Sequence, residues 1–238
     1  MKIEDKTFFI SGANRGIGKS LVAALLRRGV KKIHAGVRDP QNAPDFGDPR
    51  VAFVELDITD LQKIESAARQ TPDTQILINN AGVAAYIGAF DGPRDLIHRD
   101  METNYFGTLD MMRTFIPVLE KNAEPGIVNI LSFGAFVHFA ELGGYCPSKA
   151  ALFSVTQGAR LLLAKKGFSV HSVNPGPIDT EMIASANIDK TSPEDMAEAT
   201  LDALQAGEPD IFPDQASRDM WEILSRDFSG IERMLAGG

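Results

Sequence analysis

The chain has 238 residues, of which 44% are hydrophobic and 24% are charged, and its formal net charge is −8. This length suits one large α/β domain or two small ones, with enough material for a real core, and the acidic balance argues against nucleic acid or an anionic membrane as the main partner. The only cysteine, Cys146, excludes an intrachain disulfide, and we expect it to be a small packing residue.

Short apolar runs alternate with amphipathic stretches from one end of the chain to the other. Strands are predicted at 7–11, 32–37, 50–57, 74–80, 126–132, 168–175 and 210–214. Helices are predicted at 18–29, 60–70, 94–122 (in two segments), 147–167, 192–207 and 216–228. The strands are apolar with little alternation, which is typical of strands buried on both faces. The alternation predicts a single α/β Rossmann-fold domain over 1–238: a doubly wound parallel sheet of about seven strands with helices on both faces.

The N-terminal segment lacks the layout of a signal peptide, and no apolar stretch is long enough to span a bilayer. The four histidines are scattered without the spacing of metal ligands. We therefore expect a cytoplasmic protein without a metal site and without a membrane or nucleic-acid partner.

The turn SGANRGIG at 11–18 follows the first predicted strand and opens a helix. Glycine permits a tight turn and a close approach of ligand to backbone, and the free N–H groups of a helix start attract an anion. The spacing G-x-x-x-G-x-G departs from the usual dinucleotide fingerprint G-x-G-x-x-G. Its context favours a phosphate-binding turn, with a purely structural turn as the alternative.

The end of the second strand reads AGVRDP and bears on the identity of the cofactor. An acidic residue at this point reads the ribose 2′-hydroxyl of NAD, but here the residue is Arg38, and Arg15 lies in the glycine turn. Guanidinium groups pair with phosphate oxygens, so two arginines favour NADP. Asp39 weakens this interpretation, and two solvated loop charges are the alternative.

The segment YCPSK at 145–149 separates Tyr145 from Lys149 by four positions, which places both on one face of a helix. A held lysine cation would lower the pKa of the phenol from about 10 and make it a proton donor and acceptor near neutral pH. Pro147 is tolerated because early helical N–H groups have no partner within the helix. The pattern alone also fits a chance pair at a helix start.

Further segments follow in a fixed order: NNAG at 79–82, NYFG at 104–107, the strand ending at Ser132, and PGPIDT at 175–180. Together with SGANRGIG and YCPSK, this set resembles the short-chain dehydrogenase/reductase family over about residues 5–180, and in particular its NADP-preferring, carbonyl-reductase-like members. The resemblance implies four catalytic residues. Tyr145 would give a proton to a carbonyl oxygen, Lys149 would lower the Tyr145 pKa and bind the nicotinamide ribose, Ser132 would hold the substrate oxygen, and Asn104 would anchor a proton-relaying water.

The resemblance also implies a set of cofactor contacts, spread over the ends of five strands. These residues are Gly12, Asn14, Arg15, Gly16, Ile17, Gly18, Arg38, Asp57, Ile58, Asn80, Ala81, Gly82, Pro175, Gly176, Ile178 and Thr180. Taken singly, several have a purely structural alternative: Ser132 as a turn cap, Asn104 as a helix-kink residue, Asp57 as a carboxylate beside the next helix. Asn79 is expected to be structural.

Apolar residues around these motifs predict a pocket for a hydrophobic aldehyde or ketone. The pocket candidates are Phe133, Phe136, His138, Tyr86, Leu142 and Met182, with the packing of several phenylalanines as the alternative. A substrate lid is predicted at about 181–206.

We expect an NADPH-dependent carbonyl reductase, which in reverse is an alcohol dehydrogenase. The alternatives are a 3-oxoacyl thioester reductase and, from another class, an NADP-sensing binding protein without turnover. The C-terminal region lacks the glycine-rich ending of many relatives, which puts tetramers in doubt. The helices near 105–121 and 147–165 resemble those of the common family dimer, so a homodimer is expected.

Overall fold

The computed structural model describes residues 1–227 and 229–235, with the backbone alone for Glu232. The strands are β1 (Thr7–Ser11), β2 (Lys32–Val37), β3 (Val51–Glu55), β4 (Ile76–Asn79), β5 (Gly126–Ile130), β6 (Ser169–Val173) and β7 (Asp210–Ile211). They form one parallel sheet in the order β3-β2-β1-β4-β5-β6-β7. The predicted α/β class and doubly wound parallel sheet are confirmed.

The helices connect these strands on both faces of the sheet. They are α1 (Gly16–Arg27), α2 (Leu61–Gln70), α3 (Arg94–Met101), α4 (Thr108–Leu119), α5 (Tyr145–Leu163), α6 (Pro193–Ala206), α7 (Gln215–Arg226) and α8 (Gly230–Leu235). A π-helical segment, Glu102–Gly107, joins α3 to α4. The long amphipathic stretch was predicted as two segments, and the structure joins these two helices through that wider turn.

The core has two layers because side chains of a strand point alternately to opposite faces. On β1, Phe8 and Ile10 pack with α1 and α6, whereas Phe9 packs with α2, α4 and α5. All three side chains are fully buried. This explains why the first strand is apolar at every position.

The sheet order changes direction between β1 and β4, which are hydrogen-bonded neighbours although two strands separate them in sequence. In doubly wound sheets the helices on either side of such a point diverge and leave a crevice beyond the carboxyl ends of the strands. The glycine turn after β1 and the NNAG segment after β4 therefore meet at this crevice.

The predicted lid is too long at its C-terminal end. Residues Glu181–Ile183 form a short 3₁₀ turn, and α6 follows with Met196, Leu201 and Leu204 buried in the same core cluster as α1. Because these side chains of α6 are in the core, α6 is one of the helices that cover the sheet. Only the segment before it, 181–191, is left as a candidate lid. The predicted last helix at 216–228 is α7, which ends at Arg226, and residue 228 lies outside the described residues.

A separate aromatic cluster braces α7 against the end of β5. Phe136 contacts Phe133, Phe153, Phe212 and Trp221, with ring centroids 4.7–5.9 Å apart. Trp221 also stacks on Phe212 at 4.8 Å. The C-terminal helices are thus attached next to the segment that carries Ser132.

Candidate active site

The glycine turn after β1 has the backbone geometry that its sequence predicts. Gly12 and Gly16 have φ of +68° and +49°, a region that side-chain-bearing residues rarely adopt. A Cβ on Gly18 would lie 2.1 Å from the Gly12 carbonyl oxygen, so only glycine fits there. Helix α1 begins at Gly16, and Arg15, at its N-cap, makes no side-chain capping bond. The turn fits a phosphate group because uncapped N–H groups and the helix dipole favour an anion.

Asn80 attaches the end of β4 to this turn. Its side-chain amide donates to the carbonyl oxygens of Ser11 and Gly12, at 3.0 Å each. The backbone N–H groups of Asn80 and Ala81 donate to the Ser11 hydroxyl. The predicted cofactor residues of β1 and β4 are therefore joined directly, and Asn80 has a structural role in this contact. Asn79 lies on the buried side, where its amide donates to Asn129 at 2.8 Å.

The end of β2 presents Arg38 to solvent, and Asp39 points into its own turn. The Asp39 carboxylate accepts hydrogen bonds from Gln41 N–H and the Asn42 amide, which lower its pKa. Both oxygens of the Asp39 carboxylate are thus occupied within the turn, which leaves Arg38 as the exposed charged side chain directly after β2. Asp57 accepts two bonds from Thr59, and its pKa is lowered by them and by the charge of Arg38.

The predicted cation in the glycine turn, Arg15, is exposed and forms an ion pair with Glu181 in the segment after β6. The side chains of both residues are more than half exposed, so water screens the pair strongly. Thr180 is also close to the turn, since a Cβ on Gly16 would lie 3.2 Å from the Thr180 methyl group. The segments 12–18 and 175–181 thus face each other across the crevice.

Tyr145 is the first residue of α5 and is half-buried. Ser132 follows β5, and its hydroxyl accepts a bond from Gly134 N–H at 3.0 Å. A Cβ on Gly134 would lie 3.4 Å from the Ser132 hydroxyl oxygen and 3.8 Å from the Tyr145 ring. Gly134, a residue that sequence reasoning missed, therefore lies next to both side chains. Ser132 is a turn cap and a neighbour of Tyr145 at once.

The pKa values of Tyr145 and Lys149 correct one expectation. Burial raises the pKa of Tyr145, and hydrogen bonding with Ser132 opposes this only in part. Burial lowers the pKa of Lys149 to about 8. In the free protein the net shift of the Tyr145 pKa is therefore upward, opposite to the predicted direction, because burial outweighs the contacts that favour the phenolate. Tyr145 instead stays protonated near neutral pH, which is the form that donates a proton.

Lys149 is 4% exposed and lies below the Tyr145 ring, with its ammonium nitrogen 5.5 Å from the ring centroid. Its ammonium group donates to the Ile130 carbonyl oxygen at 2.9 Å. A Cβ on Gly82 would lie 3.6 Å from this nitrogen and 3.1 Å from the Asn104 side-chain oxygen. Gly82 therefore lies next to both the lysine and the asparagine. Its lack of a side chain lets the backbone approach both of them closely.

Asn104 lies in the π-helical segment and is fully buried. Its side chain accepts from Val83 N–H and donates to Val83 C=O, at 2.8 Å each, and also donates to the Ser148 hydroxyl at 2.9 Å. The Ser148 hydroxyl in turn donates to the Tyr145 carbonyl oxygen at 2.6 Å. Ser148, also missed from the sequence, thus connects Asn104 to the turn that carries Tyr145. Such π-helical turns occur frequently at functional sites.

The loop after β6 closes the far side of the crevice. Pro175 and Ile178 are buried, and Pro175 C=O accepts from Phe133 N–H at 2.8 Å. Gly176 N–H donates to the carboxylate of Asp214 at 2.8 Å. This loop is anchored on the residue next to Ser132 and on the start of α7, and its position in the fold agrees with the predicted cofactor contacts.

The predicted substrate pocket divides into two groups. Tyr86 is exposed and its hydroxyl donates to the Met182 carbonyl oxygen at 2.9 Å, while Leu142 pairs with Ile87, the residue after Tyr86. Tyr86 is close enough to Tyr145 to affect its pKa, and the Leu142 carbonyl oxygen accepts from Cys146 N–H, the residue after Tyr145, at 3.0 Å. Phe133 is only 1% exposed inside the aromatic cluster, so it is a packing residue rather than a substrate contact.

The other two predicted pocket residues, Phe136 and His138, are less well placed to contact a substrate. Phe136 belongs to the same cluster as Phe133 through four aromatic neighbours, and His138 is exposed. Sequence reasoning also missed Asp100, a fully buried carboxylate of α3 whose two oxygens accept from Ala85 N–H at 2.9 and 3.1 Å, and which also pairs with Arg99 at 3.3 Å. It holds the segment that carries Tyr86.

Comparison with known proteins agrees with this geometry. The family model described as short chain dehydrogenase matches residues 6–191. A crystal structure of a short chain dehydrogenase from Burkholderia cenocepacia in complex with NADP has 37% identity, covers 99% of each chain and superposes with a TM-score of 0.94. An uncharacterized oxidoreductase of Staphylococcus saprophyticus is 30% identical over 86% of this chain and 93% of its own. A 3-ketoacyl-(acyl-carrier-protein) reductase from Brucella melitensis, complexed with NADH, shares the fold at 23% identity, with a TM-score of 0.81 over 89% of this chain and 97% of its own.

The chain belongs to the short-chain dehydrogenase family and is an oxidoreductase of that family. Within the described residues, no helix is both long and apolar enough to cross a membrane. The same part of the chain contains no group of three or more His, Cys, Asp or Glu side chains arranged to hold a metal ion.

Proposed function

We propose that this protein is an NADPH-dependent reductase of the carbonyl group of a hydrophobic aldehyde or ketone, and that in reverse it oxidises the alcohol. The observation that carries the proposal is that Ser132 and Tyr145 are neighbours, with the phenol in its protonated form, while Lys149 and Asn104 are buried behind them. A protonated phenol beside a hydroxyl is an acid positioned for a carbonyl oxygen.

Each of the four proposed catalytic residues has a separate role in the reduction. The nicotinamide cofactor, when bound, supplies the hydride for the carbonyl carbon. Ser132 holds the carbonyl oxygen, and Tyr145 transfers its hydroxyl proton to that oxygen as negative charge develops there. Lys149 carries a positive charge below pH about 8 and so stabilises the phenolate left behind. Asn104 fixes the backbone at Val83 and helps to anchor a water for proton return.

Three features support NADP as the cofactor. Arg38 stands at the end of β2, where an acidic residue would select NAD, and the Asp39 carboxylate is engaged in its own turn. Arg15 is exposed on the facing turn. The 37% identical Burkholderia relative was crystallised with NADP. The adenosine contacts of Asn14, Asp57 and Ile58, and the nicotinamide contacts of the 175–180 loop, belong to the same proposal.

The substrate side of the site is formed by Tyr86, Leu142 and Met182, which leave an apolar surface beside Tyr145. An apolar wall with a few convergent polar groups fits a hydrophobic carbonyl compound. We also propose that the protein is a cytoplasmic homodimer, paired through α4 and α5. Large apolar side chains are exposed on α5 (Leu161 80% and Leu162 77%) and in the π-helical segment that leads into α4 (Phe106 46%), as expected at an interface between copies.

The test is NADPH oxidation, followed by absorbance, with a panel of aldehydes, ketones, quinones and a 3-oxoacyl thioester, and with NADH in parallel. We expect turnover with NADPH well above that with NADH, and best with hydrophobic carbonyl compounds. Tyr145→Phe should abolish turnover but leave NADPH binding intact, because it removes only the transferred proton. Tyr105→Phe is the matched control, since it removes the hydroxyl of a tyrosine that has no role in the proposed chemistry.

Other outcomes lead to other functions. Preference for the 3-oxoacyl thioester would make the protein a reductase of that class. Tight NADPH binding without any turnover, in wild type and Tyr145→Phe alike, would make it an NADP-sensing binding protein. Preference for NADH would refute the role given to Arg15 and Arg38.

A further inference from the structure

Asp214, at the start of α7, makes a contact that an ordinary helix cap does not make. Its carboxylate accepts from Ser217 N–H at 2.9 Å and from the Ser217 hydroxyl at 3.0 Å, as a capping residue does. It also accepts from Gly176 N–H at 2.8 Å, 38 residues away in the chain. The side chain is 2% exposed. By contrast, the backbone bonds of the Asp60 cap of α2 come only from its own helix, from Gln62 and Lys63.

Gly176 is shaped to receive this carboxylate. A Cβ at that position would lie 2.7 Å from the nearer carboxylate oxygen and 3.3 Å from the Ala216 side chain. Both distances are shorter than ordinary van der Waals contact for a buried pair. The absence of a side chain at 176 thus brings the loop against the first turn of α7.

The loop is fixed at three successive residues. Asn174 N–H donates to Ile211 C=O on β7 at 2.7 Å, Pro175 C=O accepts from Phe133 N–H, and Gly176 N–H donates to Asp214. The first two bonds join backbone groups only. The third is the only one of the three that depends on a side chain, so it is the one that the sequence at 214 controls.

We propose that Asp214 is a positioning residue for the nicotinamide half of the cofactor, which it holds in place through Gly176. This proposal rests on the proposed function, in which the 175–180 loop contacts the carboxamide. The carboxylate does not touch the cofactor. It fixes the position of the loop at the crevice. The loop contacts Phe133 and is therefore close to Ser132. The C-terminal segment DIFPD thus supplies by a side chain an anchor for this loop in a chain that lacks the glycine-rich ending.

Asp214→Asn separates this role from helix capping. Asparagine is as good an N-cap as aspartate, so α7 keeps its start. The amide nitrogen will face the Ser217 hydroxyl, which can accept from it, and this places a donor against Gly176 N–H. The contact with the loop is then lost while the cap on Ser217 N–H remains.

The measurement is the binding of two probes by calorimetry: NADP⁺, and adenosine 2′,5′-bisphosphate, which lacks the nicotinamide half. We expect Asp214→Asn to raise the dissociation constant of NADP⁺ about tenfold, since a hydrogen bond to a charged group is lost. The dissociation constant of the bisphosphate should change less than about twofold, within the scatter of surface substitutions. Asp60→Asn, the same substitution at a cap without an outside contact, should leave both probes unchanged.

Two results would overturn the proposal. NADP⁺ binding that is unchanged in Asp214→Asn would show that the loop does not depend on this carboxylate. Equal weakening of both probes would show a general effect on the fold. If Asp214→Asn does not fold, Gly176→Ala tests the same contact from the loop side, with the same selective loss expected. Wild-type protein that binds neither probe would instead refute the proposed function, and this proposal with it.

Discussion

Asn104 offers the sharpest test of how the site is held together. Asn104→Ala would remove three hydrogen bonds at once and leave both the N–H and the C=O of Val83 without their partner. Each buried group left unpaired costs about 1–3 kcal/mol. The side chain is fully buried, so we expect a loss of about 3 kcal/mol in the free energy of unfolding. For a chain of this length that corresponds to a fall in Tm of about 6–12 °C.

The same change should also lower activity, because Val83 lies between Gly82 and the segment of Tyr86. A displacement of about 1 Å there can cost about a hundredfold in kcat. Asn122→Ala is the matched control: its amide also makes three hydrogen bonds, to Pro72, Thr74 and Val118, in a part of the protein far from the crevice.

The assay compares Tm by calorimetry and kcat well below Tm for both variants. Asn122→Ala should lose stability and keep kcat, whereas Asn104→Ala should lose both. If the two variants lose stability equally and both keep full kcat, Asn104 is only structural. If the Tm of Asn104→Ala equals that of wild type, the hydrogen bonds to Val83 do not carry the energy assigned to them.

The remaining predictions concern charge. With the Lys149 pKa near 8, the cation is present below this pH and is lost above it, so kcat/KM for reduction should fall above pH about 8; a profile that stays level to pH about 10 would contradict this. Glu181→Gln should tighten NADP⁺ binding up to about fivefold and leave NAD⁺ unchanged, because it frees Arg15 from an exposed ion pair. Equal changes for both nucleotides in calorimetry would refute a link between Arg15 and the 2′-phosphate.

The fold was predictable from the sequence because the apolar runs, the amphipathic stretches and the glycine turn all indicated the same architecture. Buried parallel strands read as unbroken apolar runs, and β1 shows the reason in Phe8 and Phe9, which are fully buried on opposite faces. The glycine turn was also predictable, since Gly18 admits no side chain. The bounds of β1 and β2 are as predicted, and the others shifted by up to four residues: β7 ends three residues early at Ile211, and α5 ends four residues early at Leu163.

The parts that sequence reasoning missed depend on contacts between distant segments. Ser148 stands beside Lys149 in the motif, but only the fold shows that it joins Asn104 to the turn of Tyr145. The Tyr145 pKa was predicted in the wrong direction because the motif shows the charge of Lys149, whereas the burial of both groups depends on the fold. Desolvation acts on every buried ionisable group, whereas a neighbouring charge acts only while it is present.

The C-terminal region shows why residue type alone misplaced the pocket. Phe133 and Phe136 follow Ser132 and looked like substrate contacts, yet they pack against Phe212 and Trp221. Burying these rings attaches α7 to the end of β5, and this attachment is what brings Asp214 within 2.8 Å of the Gly176 N–H. The aromatic residues therefore affect the site indirectly, through the position of α7. A substitution in the cluster should first disturb the 175–180 loop and cofactor binding, and only then the choice of substrate.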